Sequence, residues 1–108
     1  MKTHTIDLVQ GLGSARVISG RPKGEARRAK EKLDTYDVIP DMGYRLVVPE
    51  KVFSVSSSFL LGLFGDSIRT LGEARFRERL TVDGRLPKGV LDYAIRQALR
   101  ESSAIPEA

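Results

Sequence analysis

The sequence predicts an α/β fold in which a small mixed sheet of about four strands carries about three packed helices. Short runs rich in β-branched residues alternate with longer segments in which apolar residues recur every three or four positions. The chain has 108 residues, of which 41% are hydrophobic and 30% charged, and this composition is typical of a single globular domain over residues 1–108. The elements are taken below in chain order.

Two β-prone runs near the start of the chain predict a hairpin. They cover Thr5–Val9 and Ala15–Ile18, and the glycine-containing connection between them has the length of a hairpin loop. Gly11 and Gly13 do not make a dinucleotide-binding fingerprint, because the third glycine and a helix directly after it are missing.

A first helix is predicted from Glu25 to Tyr36, after a break at Gly20–Gly24. Its narrow apolar stripe consists of Ala26, Ala29, Leu33 and Tyr36. The outer face is charged, and pairs four residues apart, such as Arg27 with Glu31 and Lys30 with Asp34, partly neutralise each other. The remaining basic character is concentrated in a cluster formed by Arg21, Lys23, Arg27 and Arg28. This cluster either holds an acidic partner or a phosphate, or is an ordinary solvated helix face.

The middle of the chain predicts a buried strand followed by a buried helix. The strand is Tyr44–Val48, whose unbroken apolar run is typical of a central strand covered on both faces. The helix extends from about Ser58 to Leu71, and Gly72 is placed to end it. Gly62 and Gly65 within this helix are tolerable if another backbone packs closely there.

The last third of the chain predicts a strand and a helix. Arg75–Val82 carries many charges and is predicted as an edge strand. Pro87 suits the first turn of the closing helix. Residues 101–108 are predicted to form a mobile tail.

The most informative segment is the serine run that precedes the second helix. Ser56, Ser57 and Ser58 lie between β-prone residues and the buried helix that Phe59 opens. Serine hydroxyls accept hydrogen bonds from the free N–H groups of a first helical turn. The segment therefore presents hydroxyls and backbone donors at one edge, where a phosphate or a partner protein could bind.

The order of elements and this serine segment resemble the STAS-like domain family known as DUF4325, which is related to the STAS domains of anti-sigma-factor antagonists. The resemblance depends on three segments and spans nearly the whole chain. They are the glycine- and arginine-containing stretch Ser19–Arg28, the strand and serine-rich turn Leu46–Phe59, and the closing strand and helix Phe76–Leu99.

The resemblance implies a site and a partner. In the antagonists, a strand ends in Asp-Ser-Ser-Gly, and a kinase of the histidine-kinase-like ATPase fold phosphorylates the first serine. In this chain Ser56 takes the place of the aspartate, Ser57 that of the phospho-acceptor, and Ser58 follows it. Phe59 replaces the glycine, so two of the four positions differ. The implied function is a non-enzymatic regulatory module of bacterial signalling that binds a protein partner, in particular a histidine-kinase-like ATPase, through this edge.

Nucleic-acid or anion binding is the alternative hypothesis. Phosphate contacts would come from the basic cluster, with further arginines at positions 69, 75, 77 and 79. The net charge of +4 is modest for a nucleic-acid-binding protein of this size, and aromatic residues for base stacking amount to only 6%.

The sequence contains no pattern typical of a catalytic site, a metal site or a membrane-spanning segment. His4 is the only histidine, in a terminus expected to be mobile, so the serines have no histidine base. Asp34, Asp37 and Asp41 do not follow the order of a calcium loop. The absence of cysteine excludes disulfides and thiolate metal sites, and no apolar run approaches the roughly 20 residues that cross a bilayer. We therefore expect a cytoplasmic protein that is not an enzyme and has no metal or cofactor.

Overall fold

The computed structural model describes residues 2–10 and 16–104, which form five strands and five helices. The strands are β1 (Lys2–Asp7), β2 (Val17–Ile18), β3 (Met42–Val48), β4 (Ser54–Val55) and β5 (Leu80–Gly84). The helices are α1 (Arg21–Glu31), α2 (Leu33–Asp37), α3 (Ser57–Leu71), α4 (Glu73–Arg79) and α5 (Val90–Ala104). The predicted α/β class is confirmed.

The strands form two small parallel sheets, so the prediction of a mixed sheet is wrong. One sheet has the order β1-β3-β5, and the other pairs β2 with β4. The predicted hairpin is also wrong: β1 pairs with β3, from Lys2↔Met42 to Asp7↔Val47, and β2 pairs with β4. Residues 11–15, which contain the predicted loop with Gly11 and Gly13, lie outside the described residues.

Strand β3 is central, as predicted, but only one of its faces is fully buried. Met42, Tyr44, Leu46 and Val48 alternate into the core, while the intervening Arg45 is exposed. The alternation arises because successive side chains of a strand point to opposite faces. The prediction that both faces are covered is therefore wrong.

Helix α3 is the centre of the helical layer, and it contacts each of the other four helices. Its buried side includes Leu60, Phe64 and Ile68, which belong to the hydrophobic core together with the buried face of β3. Its bounds agree with the predicted helix, and Gly72 ends it by donating its N–H to the Ile68 carbonyl at 2.8 Å.

The region predicted as one helix over residues 25–36 is two. Helix α1 begins earlier, at Arg21, because Pro22 can occupy a first turn, where its missing N–H is not needed. It ends at Lys32, which adopts a left-handed conformation with φ of 58°, and α2 follows directly. Nothing in the apolar spacing marks this break, since Leu33 continues the three- and four-residue spacing of Ala26 and Ala29. The predicted stripe itself is only partly correct, because Leu33 is buried while both alanines are exposed, and the residues that α1 buries are Gly24 and Arg28.

The stretch predicted as a strand from Arg75 is mostly helix α4, and β5 begins only at Leu80. Phe76 is fully buried and packs edge-on against Phe64 with ring centroids 5.2 Å apart. The helix is favoured by arginine, glutamate and alanine, and by the Arg77–Glu73 ion pair four residues apart. The edge position of β5 is as predicted. At the end of the chain α5 continues through Ala104, into residues assigned to the tail, and residues 105–108 lie outside the described part.

Candidate functional site at the start of helix α3

Helices α1 and α3 begin next to each other, and Ser56 joins their starts. Its Oγ accepts a hydrogen bond from the Phe59 N–H at 3.1 Å, which is the N-cap interaction that the serine predicted. The same oxygen lies 3.4 Å from the N–H of Gly20, the residue that precedes α1. This arrangement follows from the parallel β2–β4 pairing, because each of these strands leads directly into one of the two helices.

The three serines have different surroundings. Ser56 is the cap, and the Ser58 hydroxyl contacts the Ser56 hydroxyl at 3.1 Å. The Ser57 hydroxyl makes no hydrogen bond to any residue that the structure describes. Phe59, which the sequence placed in the same partner-binding edge, is only 4% exposed and belongs to the core, so it is not available to a partner.

Ser57 lines a cleft of about 260 Å³ between the starts of α1 and α3 and one side of α5. We call it the serine cleft; its lining includes Arg21, Ser57, Ser58, Leu61, Tyr93 and Glu101. Tyr93 is 52% exposed, which is unusual for a large aromatic side chain. The cleft thus combines hydroxyls, a guanidinium, a carboxylate and an accessible aromatic ring.

The Arg21–Glu101 ion pair lies at the margin of this cleft and ties α5 to α1. Two parallel hydrogen bonds of 2.8 and 2.7 Å join the guanidinium and the carboxylate. These bonds raise the pKa of Arg21 and lower the pKa of Glu101. Arg69 of α3 approaches the same carboxylate at 3.6 Å and also donates to the Ala98 carbonyl at 3.3 Å. The charges around Ser57 are therefore largely balanced.

The position of Arg21 relative to Ser57 depends on a close crossing of α1 and α3 at two glycines. A β-carbon on Gly24 would lie 2.1 Å from the Phe59 carbonyl oxygen. One on Gly62 would lie 2.2 Å from the Arg21 carbonyl oxygen. Both distances are far below van der Waals contact, so only glycine allows the two backbones this approach. The close backbone that the sequence required at Gly62 is present, whereas at Gly65 the nearest atoms belong to the side chains of Arg69 and Leu61.

The predicted basic cluster is largely neutralised inside the molecule. Arg27 binds Glu31 at 2.8 Å, as predicted, and donates to the Asp7 carbonyl at 2.6 Å. Arg28 is only 7% exposed, so its predicted place on the outer face is wrong. Lys23 is exposed and forms no ion pair with a described residue. With Arg21 bound to Glu101, the four cations do not form one accessible patch.

Arg28 belongs to a buried polar network that the sequence analysis missed. Its Nη2 donates to Asp34 and to Asp37, both at 2.6 Å, and its Nη1 donates to the Ser67 hydroxyl at 2.8 Å. Ser67 in turn donates to Asp37, and the Tyr44 hydroxyl donates to the same carboxylate.

The surroundings of this network shift the pKa of two of its members, Tyr44 and Arg28. Burial and then the hydrogen bond to Asp37 raise the pKa of Tyr44 above its usual range. Burial acts to lower the pKa of Arg28, but the hydrogen bonds that its guanidinium donates to Asp34 and Asp37 outweigh burial, and the pKa is raised. The network joins α1, α2, β3 and α3, and no local sequence pattern reports such long-range contacts. Its donors and acceptors are all matched, which is typical of a structural rather than a catalytic cluster.

His4 is also a structural residue in this arrangement. It lies in strand β1 rather than in a free terminus, stacks on Tyr36 with ring centroids 4.3 Å apart, and bonds to Glu31 at 2.8 Å. Within the described residues no group of three or more His, Asp or Glu side chains is placed to hold a metal ion. None of the described helices is both long and apolar enough to cross a membrane.

Comparison of the chain with models of protein families, with curated proteins and with solved structures finds no match. The resemblance to STAS-like domains therefore stays a prediction, and the functional argument depends on the geometry of the serine cleft.

Proposed function

We propose that the protein is a non-enzymatic, STAS-like regulatory module that binds a partner protein at the serine cleft. The observation that carries this proposal is the Ser57 hydroxyl, which is unused by the described part of the chain and faces a cleft beside an exposed tyrosine. Tyrosine and arginine are enriched at protein interfaces, where they supply most of the binding energy.

Binding, rather than catalysis, is favoured by the surroundings of Ser57. A nucleophilic serine needs a base within hydrogen-bond distance, and among the described residues Ser57 has none. A neutral hydroxyl in a charge-balanced cleft is instead a suitable contact for a complementary protein surface. The partner implied by the STAS resemblance is an ATPase of the histidine-kinase-like fold.

Ser57 is also placed where a change of charge would control such binding. It is the first residue of α3, and a phosphate there would be favoured by the helix dipole. The phosphate would add about −1.5 to −2 charges and three acceptor oxygens. A partner complementary to the neutral hydroxyl would then be repelled, so Ser57 would act as a switch.

The test is an affinity pull-down from native cell lysate with nuclease present, in which the wild type is compared with Ser57→Asp. The matched control is Thr70→Asp, because Thr70 is an exposed residue near the other end of the same helix. We expect one protein partner to be retained by the wild type and the control and lost from Ser57→Asp. Equal retention by all three proteins would refute the proposal.

A parallel pull-down without nuclease completes the test: bound material that is recovered only without nuclease would also contradict the proposal, and would instead favour nucleic-acid binding. Circular dichroism and thermal melting of the three proteins must coincide, which separates loss of the partner from loss of the fold. An aspartate in the first turn of α3 is favourable to the helix, so we expect this condition to be met.

A further inference from the structure

A second cleft lies at the carboxyl ends of strands β3 and β5, away from any residue assigned above to function. Its volume is about 760 Å³, within the range of clefts that hold ligands. We call it the carboxyl-end cleft. Its apolar lining consists of Val48, Pro49, Val52, Phe53, Leu86 and Pro87. In open α/β sheets, ligands commonly bind in the crevice beyond the carboxyl ends of the strands.

Phe53 is the most exposed large apolar side chain described, at 80%. It is nevertheless held in place, because its N–H donates to the Arg16 carbonyl at 2.7 Å and it directly precedes β4. A turn with a 2.9 Å hydrogen bond from the Val52 N–H to the Pro49 carbonyl precedes it. An exposed aromatic ring on a fixed backbone beside an apolar cleft is an arrangement that favours a binding partner.

The base of the cleft is held by a close approach of the two strands. Gly84 has a φ of 118°, and a β-carbon there would lie 2.1 Å from the Val48 carbonyl oxygen. The segment from Arg85 to Pro87 leaves β5 at this point and separates the cleft from a second one of about 470 Å³. Apolar surface is therefore available on both sides of this segment, enough for an extended peptide rather than a compact ligand.

The charges around the carboxyl-end cleft are predominantly basic and not neutralised. Two acids nearby, Asp83 and Asp92, are already paired with Arg45 and Arg77. The other five charged residues near the cleft in the chain are exposed and form no ion pair to a described residue. Four are cations and one is an acid: Arg16, Lys51, Arg85, Lys88 and Glu50. This contrasts with the arginines of α1, whose charges are matched by internal carboxylates.

We propose that the carboxyl-end cleft binds an acidic segment of a partner protein that carries an apolar side chain between carboxylates. The apolar side chain would pack against Phe53 and Leu86, and the carboxylates would face the unpaired cations. The lining is mainly aliphatic with a single aromatic ring, so it fits a peptide side chain better than a series of stacked bases. This proposal does not depend on the serine cleft.

The test is titration of the ¹⁵N-labelled protein with a synthetic peptide in which leucine and phenylalanine alternate with glutamate. A matched peptide carries lysine in place of glutamate, and a short single-stranded oligonucleotide serves as the nucleic-acid probe. We expect saturable amide shifts confined to residues 16–18, 48–54 and 84–89 with the glutamate peptide, and none with the lysine peptide. Affinity should fall with increasing salt.

Two variants test the residues of the cleft. Phe53→Ala and Arg85→Glu should each weaken peptide binding by about tenfold, since removal of a central aromatic or a complementary charge typically has effects of this size. The controls are Tyr93→Ala, which removes the exposed ring of the serine cleft, and Arg96→Glu, which reverses an exposed, unpaired cation on α5. Neither control should change the affinity.

Equal binding of the two peptides, shifts centred outside residues 16–18, 48–54 and 84–89, or absence of saturable shifts would each overturn the proposal. Tighter binding of the oligonucleotide at the same loops would overturn it in favour of nucleic acid. Because Phe53 is 80% exposed, its removal should leave the melting temperature unchanged, and a lowered one would show that Phe53 has a structural role instead.

Discussion

Substitution of Gly62 by alanine tests whether the α1–α3 crossing is as close as described. In an isolated helix this change is favourable by about 1 kcal/mol, because alanine has the higher helix propensity. In this protein the new methyl group would lie 2.2 Å from the Arg21 carbonyl oxygen and 2.8 Å from the Glu25 nitrogen. Both contacts are to backbone atoms, so no side-chain rotation relieves them.

The expected cost follows from the distance that the helices must move. Ordinary contact begins near 3.4 Å, so α1 and α3 must separate by about 1 Å. Overpacking of this kind typically costs 1–3 kcal/mol or more, and the separation also loosens contacts along the rest of the interface. We expect a net loss of about 2 kcal/mol in the free energy of unfolding, after the gain in propensity is included.

Urea denaturation followed by circular dichroism measures this loss as a midpoint lower by about 1 M. Gly65→Ala is the matched control in the same helix, because its methyl group would meet only the ends of side chains, at 3.2 Å from Arg69 and 3.4 Å from Leu61. The control should be neutral or stabilising by up to about 1 kcal/mol. A Gly62→Ala protein as stable as the control would refute the close crossing.

Three further predictions concern the ion pairs and the buried network. Asp37→Asn should lower the free energy of unfolding, measured by urea denaturation, by about 3–5 kcal/mol, because it leaves a buried guanidinium without its buried carboxylate. Asp34→Asn should lower it by at most about 1 kcal/mol, because that carboxylate is 87% exposed. Equal losses in the two variants would contradict the network. Because the pKa of Tyr44 is raised, the contribution of its neutral hydroxyl to stability is complete below about pH 10 and is lost only as pH rises through the raised value. Tyr44 is therefore not ionised near pH 10 in the folded protein. The tyrosinate absorbance of folded wild type and of Tyr44→Phe should coincide at that pH. Glu101 has a lowered pKa, so its stabilising effect is present above about pH 4 and is lost as pH falls through the lowered value. The melting temperature of the wild type should therefore exceed that of Glu101→Gln at pH 7 and equal it at strongly acid pH. Equal melting temperatures at pH 7 would contradict the ion pair to Arg21.

The elements that sequence predicted well are those whose burial is periodic. Helix α3 and strand β3 each bury a side in the core, and their apolar residues repeat with the period of the element. Gly72 was predictable as the end of α3 because helix ends favour glycine. These signals are local, so one sequence is enough to detect them.

Strand pairing was not predictable in the same way. Strand β2 has two residues, and its partner residues in β4 lie 37 positions further along the chain. A glycine-containing loop is a local signal for a hairpin, but it carries no information about a more distant strand that competes for the same edge. The break at Lys32 is not predictable for a related reason, because the spacing of apolar residues in the sequence continues across it from Ala29 to Leu33, although Ala29 is exposed in the structure.

The sequence predicted only part of the candidate site. Sequence identified the serine segment, since Ser56 is a cap by its residue type and position. It did not separate Ser57, whose hydroxyl bonds to no described residue, from Phe59 in the core, because the two differ in which side of the helix start they occupy. That difference depends on where α1 and α5 pack, which is a property of the whole fold.

Charge is where sequence and structure differ most in their functional meaning. A count of basic residues directed attention to α1, yet its arginines hold α1 to neighbouring elements through internal carboxylates and carbonyls. The cations of the carboxyl-end cleft were less conspicuous, because they are scattered over 73 positions from Arg16 to Lys88. A cation that is already paired offers a ligand little new electrostatic energy, since binding must first replace an existing partner. The available positive charge is therefore set by which arginines lack an internal acid. On that basis the carboxyl-end cleft is the better candidate for an acidic ligand, whereas the charge-balanced serine cleft suits a neutral contact that phosphorylation can disrupt.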